Sequence, residues 1–391
     1  MAKHKDAMHK FQNTRDAAIL EAEGDNIVLF HPVVSEKAIQ NVTKVLRSRW
    51  VGEGPRVREF EKAFERELSI KGEAVAVGSC TDALHLSYVL SNIQPDDEVI
   101  VPVFTCTATN IPLLYLNARI RFADVEPDTL NIDFNHVRTL VSERTKAIVC
   151  VHYGGLCCDM SQLVRLANEL EVPLIEDAAQ GIGAVQNGIP VGSFGAFSAF
   201  SFQAVKHFTT GDGGMLVLRN EQLADRARRM RWFGIDRSAK QNGTWGNDIT
   251  ELGYKYQMTD IAAAMGLAGL EELKSRIQHR RNLLRQYFDS LSGIDGIRLL
   301  GKNRPECENA AWLCTAMVEG REAFQQLLRA QGVESGQVHY RNDRYSIFNR
   351  FRDTETPNMD AVEGKYVCLP LHDAMSSEQV DRVCSLIRKG W

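Results

Sequence analysis

No stretch of about eighteen uninterrupted apolar residues occurs in the 391-residue chain, so nothing in it reads as a membrane-spanning helix. The opening MAKHKDAMHKFQNTRDAAILEAEGDN has no apolar core of the kind a secretory leader carries. An excess of one charge is missing too. Lys and Arg number 46 against 50 Asp and Glu, a net charge of -4, and no basic block is present to track a phosphate backbone or an anionic bilayer. Nucleic acid and membrane are therefore excluded as expected partners. Cysteine is scarce: nine residues, an odd number, with no CxxC pair. The adjacent Cys157 and Cys158 lack a His/Cys set at zinc-ligand spacing. A disulfide scaffold and a structural metal are excluded, the thiols read as reduced and mostly buried, and the protein reads as cytoplasmic.

What is present suits a large folded enzyme. Hydrophobic residues make up 44% and charged residues 25%, enough for one large core or two. Seven short apolar runs, at 73–77, 98–104, 119–125, 147–152, 173–176, 194–202 and 215–218, alternate with helix-like stretches. That alternation predicts an α/β architecture with a mostly parallel sheet. Continuously apolar runs such as AIVCV predict strands covered on both faces. Apolar residues at three- and four-residue steps predict helices over 57–68, 83–90, 161–170 and 259–277, the last continuing through 278–291. A Ser-Ser-Glu-Gln start signal predicts a final helix over 376–388. The shift in pattern near residue 286 divides the chain into a polar tail (1–25), a large domain (26–285) and a smaller C-terminal α+β domain (286–391). No Ser/Gly linker separates the two domains, so they are expected to pack together.

The chemistry concentrates in PLIEDAAQGIGAVQNGIPVGSFGAFSAFSFQAVKHFTTGDGG, residues 173–214. One strand ends on Asp177; another delivers Ser201 and, after a turn, Lys206. Ligands of open α/β sheets bind at the carboxyl ends of strands, so a carboxylate, a hydroxyl and an amine are expected in one crevice. Singly, Asp177 could cap a helix and Lys206 could be a surface lysine. Together they match what pyridoxal phosphate needs, an amine for a Schiff base and a carboxylate for the pyridine nitrogen. Gly211, Gly213 and Gly214 are expected to let the backbone approach that cofactor closely. A second stretch, EAVAVGSCTDALHLSYVL, runs from a strand into a helix at Ser79-Cys80-Thr81. The free N–H groups and positive dipole end of that helix make an expected phosphate cup, although Ser79 or Thr81 could equally be a plain N-cap.

These stretches, with RSRWVGEGPRV, PVFTCTATN, FADVEPDTLNID, LGYKYQMTDIAAAMG and CLPLH, resemble the DegT/StrS family of pyridoxal-phosphate-dependent nucleotide-sugar aminotransferases. The resemblance spans nearly the whole chain and is strongest in S-F-x-x-x-K-x-x-T-x-G-D-G-G, Ser201 to Gly214. It implies fold type I, with a seven-stranded sheet. It also implies that Lys206 carries the cofactor and moves protons, Asp177 pairs with the pyridine nitrogen, and Gln180 lies near the ring hydroxyl. Cys80 (through its backbone N–H), Thr81 and Ser201 would hold the phosphate, with Ser79 beside them.

By the same resemblance His152 lies at the ring edge and His339 near the sugar nucleotide; Trp50 and Tyr340 could flank the sugar or base, or be core aromatics. Arg231, Arg237 and Arg341 are candidates for substrate anions, since their forks suit carboxylate and diphosphate. Two positions depart from the family pattern. Cys106 stands where an aromatic ring usually covers the cofactor, leaving Phe104 or a thiol surface to do so. Lys255 and Gln257 stand where Asn commonly reaches the partner subunit's phosphate, and Lys255 could meet it as a point charge. The implied protein is a homodimer with shared active sites, taking an amino acid, glutamate in most of the family, and a nucleotide-linked keto-deoxysugar. A cyclitol-like substrate or a catalytically silent cofactor-bearing regulator are the competing readings. Related sugar dehydratases carry His where this chain has Lys206.

Overall fold

The apolar runs become β1 (Glu73–Val77), β2 (Glu98–Pro102), β3 (Arg119–Ala123), β4 (Thr145–Val151), β5 (Leu174–Asp177), β6 (Phe197–Ser201) and β7 (Gly214–Leu218). They form one seven-stranded sheet in the order β1-β7-β6-β5-β4-β2-β3. This is seen in the computed structural model, which describes residues 20–237, 239, 243–246, 248–301 and 306–391. All the pairs from β6 across to β3 are parallel, and β7 runs against both of its neighbours. Ala147 through Val151 are buried throughout, as a strand with layers on both faces must be. Each large side chain so buried contributes roughly 1.5–3 kcal/mol of hydrophobic stabilisation.

Three helices set the geometry at the sheet's carboxyl edge. Helix α1 (Pro55–Leu68) starts with Pro at its first position and has no capping side chain of its own at Gly54. Its free N–H groups go instead to Asp260, whose carboxylate accepts from Gly54 at 2.8 Å, Val57 at 3.1 Å and Arg56 at 3.2 Å. Helix α2 (Cys80–Leu90) follows β1 directly, capped by Ser79. Helix α3 (Thr107–Tyr115) follows β2 after the two-residue strand Phe104–Thr105. That short strand pairs with Tyr340–Arg341, which ties the C-terminal part of the chain to this edge.

Helix α4 (Asp260–Leu291) is a single helix of 32 residues that crosses residue 285, the expected domain boundary, without a break. Its early residues Ala263, Leu270, Leu273 and Ile277 bury with Phe60 and Phe64 of α1. Its later ones, Leu283, Leu284, Tyr287 and Leu291, bury with a three-stranded antiparallel sheet (Ile297–Leu299, Cys314–Val318, Tyr366–Leu369) and the helix Ser377–Ile387. That last helix starts on a full capping box between Ser376 and Gln379, as its sequence signal predicts. Of the expected tail, residues 1–19 lie outside the described residues. Ile27 pairs with Val333 and buries in the C-terminal core, although sequence assigns it to the larger part. Among the described residues no helix is long and apolar enough to cross a membrane. Among them, too, no group of three or more His, Cys, Asp or Glu could hold a metal ion.

Candidate active site

Strands β5 and β6 lie side by side, with Asp177 in register with Ala199, so Asp177 and Ser201 end at the same edge of the sheet. The chain then turns back, closed by a bond from Lys206 N–H to the Gln203 carbonyl at 3.0 Å, and brings Lys206 to that edge. Asp177 is 3% exposed. Its carboxylate accepts from Thr109 Oγ1 at 2.7 Å and from the Ala179 N–H at 3.1 Å. Burial raises its pKa, with Thr109, Ala179 and Lys206 acting in the opposite direction. Burial likewise lowers the pKa of Lys206, against the pull of Cys80, Asp177 and Cys106. Both shifts favour the uncharged form. For an amine that has to attack a carbonyl, the neutral form is the reactive one.

Glu176, one residue before Asp177, is a different kind of carboxylate. Its Oε1 accepts from the N–H groups of Phe194 (2.9 Å) and Gly195 (2.6 Å) and from Ser198 Oγ (2.9 Å). Its Oε2 accepts from Gly192 N–H (2.9 Å) and faces His152 Nε2 at 3.2 Å. Burial alone would push its pKa up, but His152 and the Gly195 and Gly192 N–H groups hold it below the usual range. His152 belongs to the same bonded network. Its Nδ1 accepts from the Cys158 N–H at 3.2 Å and its Nε2 is taken by Glu176, so neither nitrogen is left for a ligand.

Gln180 is fixed at both ends of its amide: Oε1 accepts from Gly154 N–H at 2.7 Å, and Nε2 lies 3.1 Å from His339 Nε2. Burial and Lys206 hold the His339 ring neutral, with its pKa pushed down to about 3, so its Nε2 accepts from Gln180. His339 stacks on Trp312 at 5.9 Å between ring centroids, and Trp312 lies 3.7 Å from the Lys206 amine. Sequence reading passed over Trp312, because AAWLC has no signal beyond one isolated aromatic residue. Tyr340, opposite Thr105, places its neighbour His339 at this edge.

At the other end of the crevice, β1 runs into α2. Ser79 Oγ accepts from the Asp82 N–H at 3.1 Å, so Ser79 is the N-cap. The Cys80 thiol lies 4.0 Å from Asp177 Oδ1, which puts the start of α2 beside the carboxylate. Thr81 is half-buried in the first turn. Ser201 pairs with Gly214, and a Cβ on Gly214 would meet the Ser79 carbonyl at 2.4 Å. Two of the three glycines are required by the protein's own packing. Gly214 is needed where β7 crosses Ser79, and Gly213, whose Cβ would meet Thr210 Oγ1 at 2.3 Å, where the turn folds on itself. The crowding is protein against protein.

Cys106 is exposed at the start of α3, within electrostatic reach of Lys206. Phe104 is buried against Tyr153 and Tyr366. That commits its ring to the core, so it is not free to cover the cofactor as the alternative to Cys106. The Lys255 amine sits over the Trp232 ring at 3.4 Å. Trp50 is half-buried beneath the Arg49 guanidinium, 5.1 Å from its ring.

The arginine candidates are engaged elsewhere. Arg231 is buried between Glu61 (2.5 Å) and Glu53 (3.1 Å). Arg341 is held by Asp343, Asp360, Glu363 and Thr356. Arg237 lies against Glu53 and 4.8 Å from the Trp232 ring. Charge pairing inside the protein explains all three.

The donor set fits pyridoxal phosphate. Asp177, oriented by Thr109 and kept from easy ionisation by burial, is a carboxylate that a protonated pyridine nitrogen would return to its charged form. Lys206 supplies the amine, and the start of α2 with Ser201 supplies donors and a positive dipole end for a phosphate.

Comparison with known proteins agrees. Residues 32–388 match the DegT/DnrJ/EryC1/StrS aminotransferase family. The UDP-4-amino-4-deoxy-L-arabinose--oxoglutarate aminotransferase of Shewanella sediminis is 31% identical over 377 residues, covering 92% of this chain and 96% of that protein. The crystal structure of AtS13 from Actinomadura melliaura superposes with a TM-score of 0.89 at 36% identity, over 95% of this chain and all of that one. The PLP form of Spr1654 from Streptococcus pneumoniae superposes with a TM-score of 0.87 at 27% identity, over 93% and 98%. With sequence and fold shared from end to end, this chain belongs to the DegT/DnrJ/EryC1/StrS aminotransferase family, fold type I sugar aminotransferases whose cofactor is pyridoxal phosphate.

Proposed function

We propose that this aminotransferase moves an amino group from glutamate to a ketone of a nucleotide-linked deoxysugar, leaving 2-oxoglutarate and an amino sugar. The observation that carries the reading is a half-buried Lys206, with its amine in electrostatic reach of the buried Asp177 carboxylate, on one edge of the sheet. The Shewanella sediminis relative, named for a UDP-linked amino sugar and for oxoglutarate, supports the choice of substrates. When bound, pyridoxal phosphate supplies an electron sink that makes the proton on the neighbouring carbon removable.

Lys206 is the residue that would hold the cofactor through its amine, and the same amine would serve as the base that moves a proton to or from the substrate carbon. Asp177 would pair with the pyridine nitrogen and keep it protonated. Thr109 and the Ala179 N–H fix the direction of its carboxylate. Gln180 would face the ring hydroxyl. The N–H of Cys80, with Ser79, Thr81 and Ser201, binds the phosphate. Cys106 would stand by the ring, at the position where the family usually carries an aromatic residue. His339, Tyr340 and Trp50 line the sugar-nucleotide side. The enzyme works in the cytoplasm as a homodimer, Lys255 meeting the phosphate of the neighbouring subunit's site. Residues 26–285 form the cofactor domain and 286–391 the smaller domain closing over it. The test is a panel of dTDP-, UDP- and GDP-linked keto-sugars offered with glutamate. Amino-sugar product from at least one is expected; product from a keto-cyclitol alone would overturn the substrate assignment.

A further inference from the structure

Trp312 is 1% exposed and comes from the segment just before the strand Cys314–Val318, far in sequence from the crevice it reaches. Three contacts lock it. Its Nε1–H donates to the Val205 carbonyl at 3.0 Å, and its ring stacks against Phe30 at 5.8 Å and His339 at 5.9 Å. The bond to Val205 joins the indole to the residue next to Lys206, so ring and lysine backbone are placed as one unit. The Lys206 amine then lies 3.7 Å from the ring centroid. An ammonium group over an indole face is attracted by the ring quadrupole, more strongly when both are out of water.

We infer that Trp312 is a positioning residue for the reaction: its indole face holds the Lys206 amine during the part of the cycle in which that amine is free of the cofactor and carries a proton. This rests on the reading that Lys206 carries the cofactor. An amine displaced by the amino donor has to stay within reach of the substrate carbon, and a buried lysine with no fixed rest would lose that alignment. The groups around it do not offer an alternative anchor of the same kind. Asp177 accepts from Thr109 and Ala179, and its remaining acceptor capacity is what the pyridine nitrogen would take. Burial keeps the Cys80 thiol protonated and the His339 and His207 rings neutral. Cys106 stands at the exposed mouth. The indole face thus supplies the stabilisation of the charged amine that burial takes away.

The experiment follows the absorbance band that forms when pyridoxal phosphate is added to cofactor-free protein, across a range of pH. The rate depends on the neutral fraction of Lys206, so its pH midpoint reports the free amine. Fluorinated tryptophans placed at position 312 keep the shape and the indole N–H but weaken the ring face. Trp312→Leu removes the face altogether. With the face weakened the ammonium form is held less firmly, so the midpoint moves down. It is expected to fall stepwise with fluorination, reaching about one pH unit. Trp312→Leu is expected to lower kcat with little change in the KM for glutamate, and Trp312→Phe to recover part of that loss. A midpoint that stays fixed through the fluorinated series, with the band still forming, would overturn the role of Trp312. A band that forms equally in Lys206→Ala would overturn the cofactor assignment, a separate failure.

Discussion

Glu176 and Asp177 are neighbours on one strand, both fully enclosed, yet they live in opposite electrostatic worlds. Glu176 has four donors from backbone and Ser198 as well as His152, and is held ionised. Asp177 has Thr109 and one N–H, and burial drives it toward the neutral form. Successive strand residues face opposite sides of the sheet, so one carboxylate is spent on holding the loop of residues 192–195 and the other is left under-bonded in the crevice. A buried charge that is fully bonded is architecture. One that is not is waiting for a partner, which here is the pyridine nitrogen of the cofactor.

The contrast can be broken first at Glu176. Glu176→Gln turns an acceptor-only group into one whose NH2 must face N–H donors, and should cost about 3–5 kcal/mol, read as a lower urea midpoint. Asp177→Asn should leave the fold intact but reduce transamination about 10²- to 10³-fold in steady-state assays, because the amide cannot stabilise a protonated ring nitrogen. If Asp177→Asn instead unfolded the protein while Glu176→Gln lost only activity, the two roles would be reversed.

The pH dependence of stability sharpens the comparison with a smaller effect. The folded pKa of Glu176 is lowered, so its contribution is present above the unfolded value near 4.3 and is lost as pH falls through the folded one. The folded pKa of Asp177 is raised, so in cofactor-free protein its ionisation costs stability as pH rises past about 3.9 toward the folded value. Cofactor-free Asp177→Asn should therefore be at least as stable as the parent at neutral pH, and Glu176→Gln should lose the Glu176 part of the acid limb. Denaturation midpoints between pH 3 and 8 would check both signs.

Local signals made much of this legible in advance. The seven apolar runs, the long apolar period of α4 and the capping box at Ser376 each act through nearby residues, and each appears where its pattern places it. The Lys206, Asp177 and Ser201 set was readable because strand ends converge in such sheets. What was not readable depends on distant partners. Asp260 caps a helix two hundred residues away, Trp312 reaches Lys206 from another part of the chain, and Arg231 and Arg341 look like anion binders until their buried acidic partners are seen. Gly214 was expected at a close approach to the cofactor, and nothing local says that the Ser79 backbone crowds it.

The most direct measurement is borohydride reduction of the freshly isolated holoenzyme followed by peptide mapping. A reduced pyridoxyl group on the peptide containing Lys206, and on no other lysine, is the expected result. An adduct at a different lysine, or none on a protein that still turns over, would contradict the assignment of Lys206 on which the proposed chemistry stands.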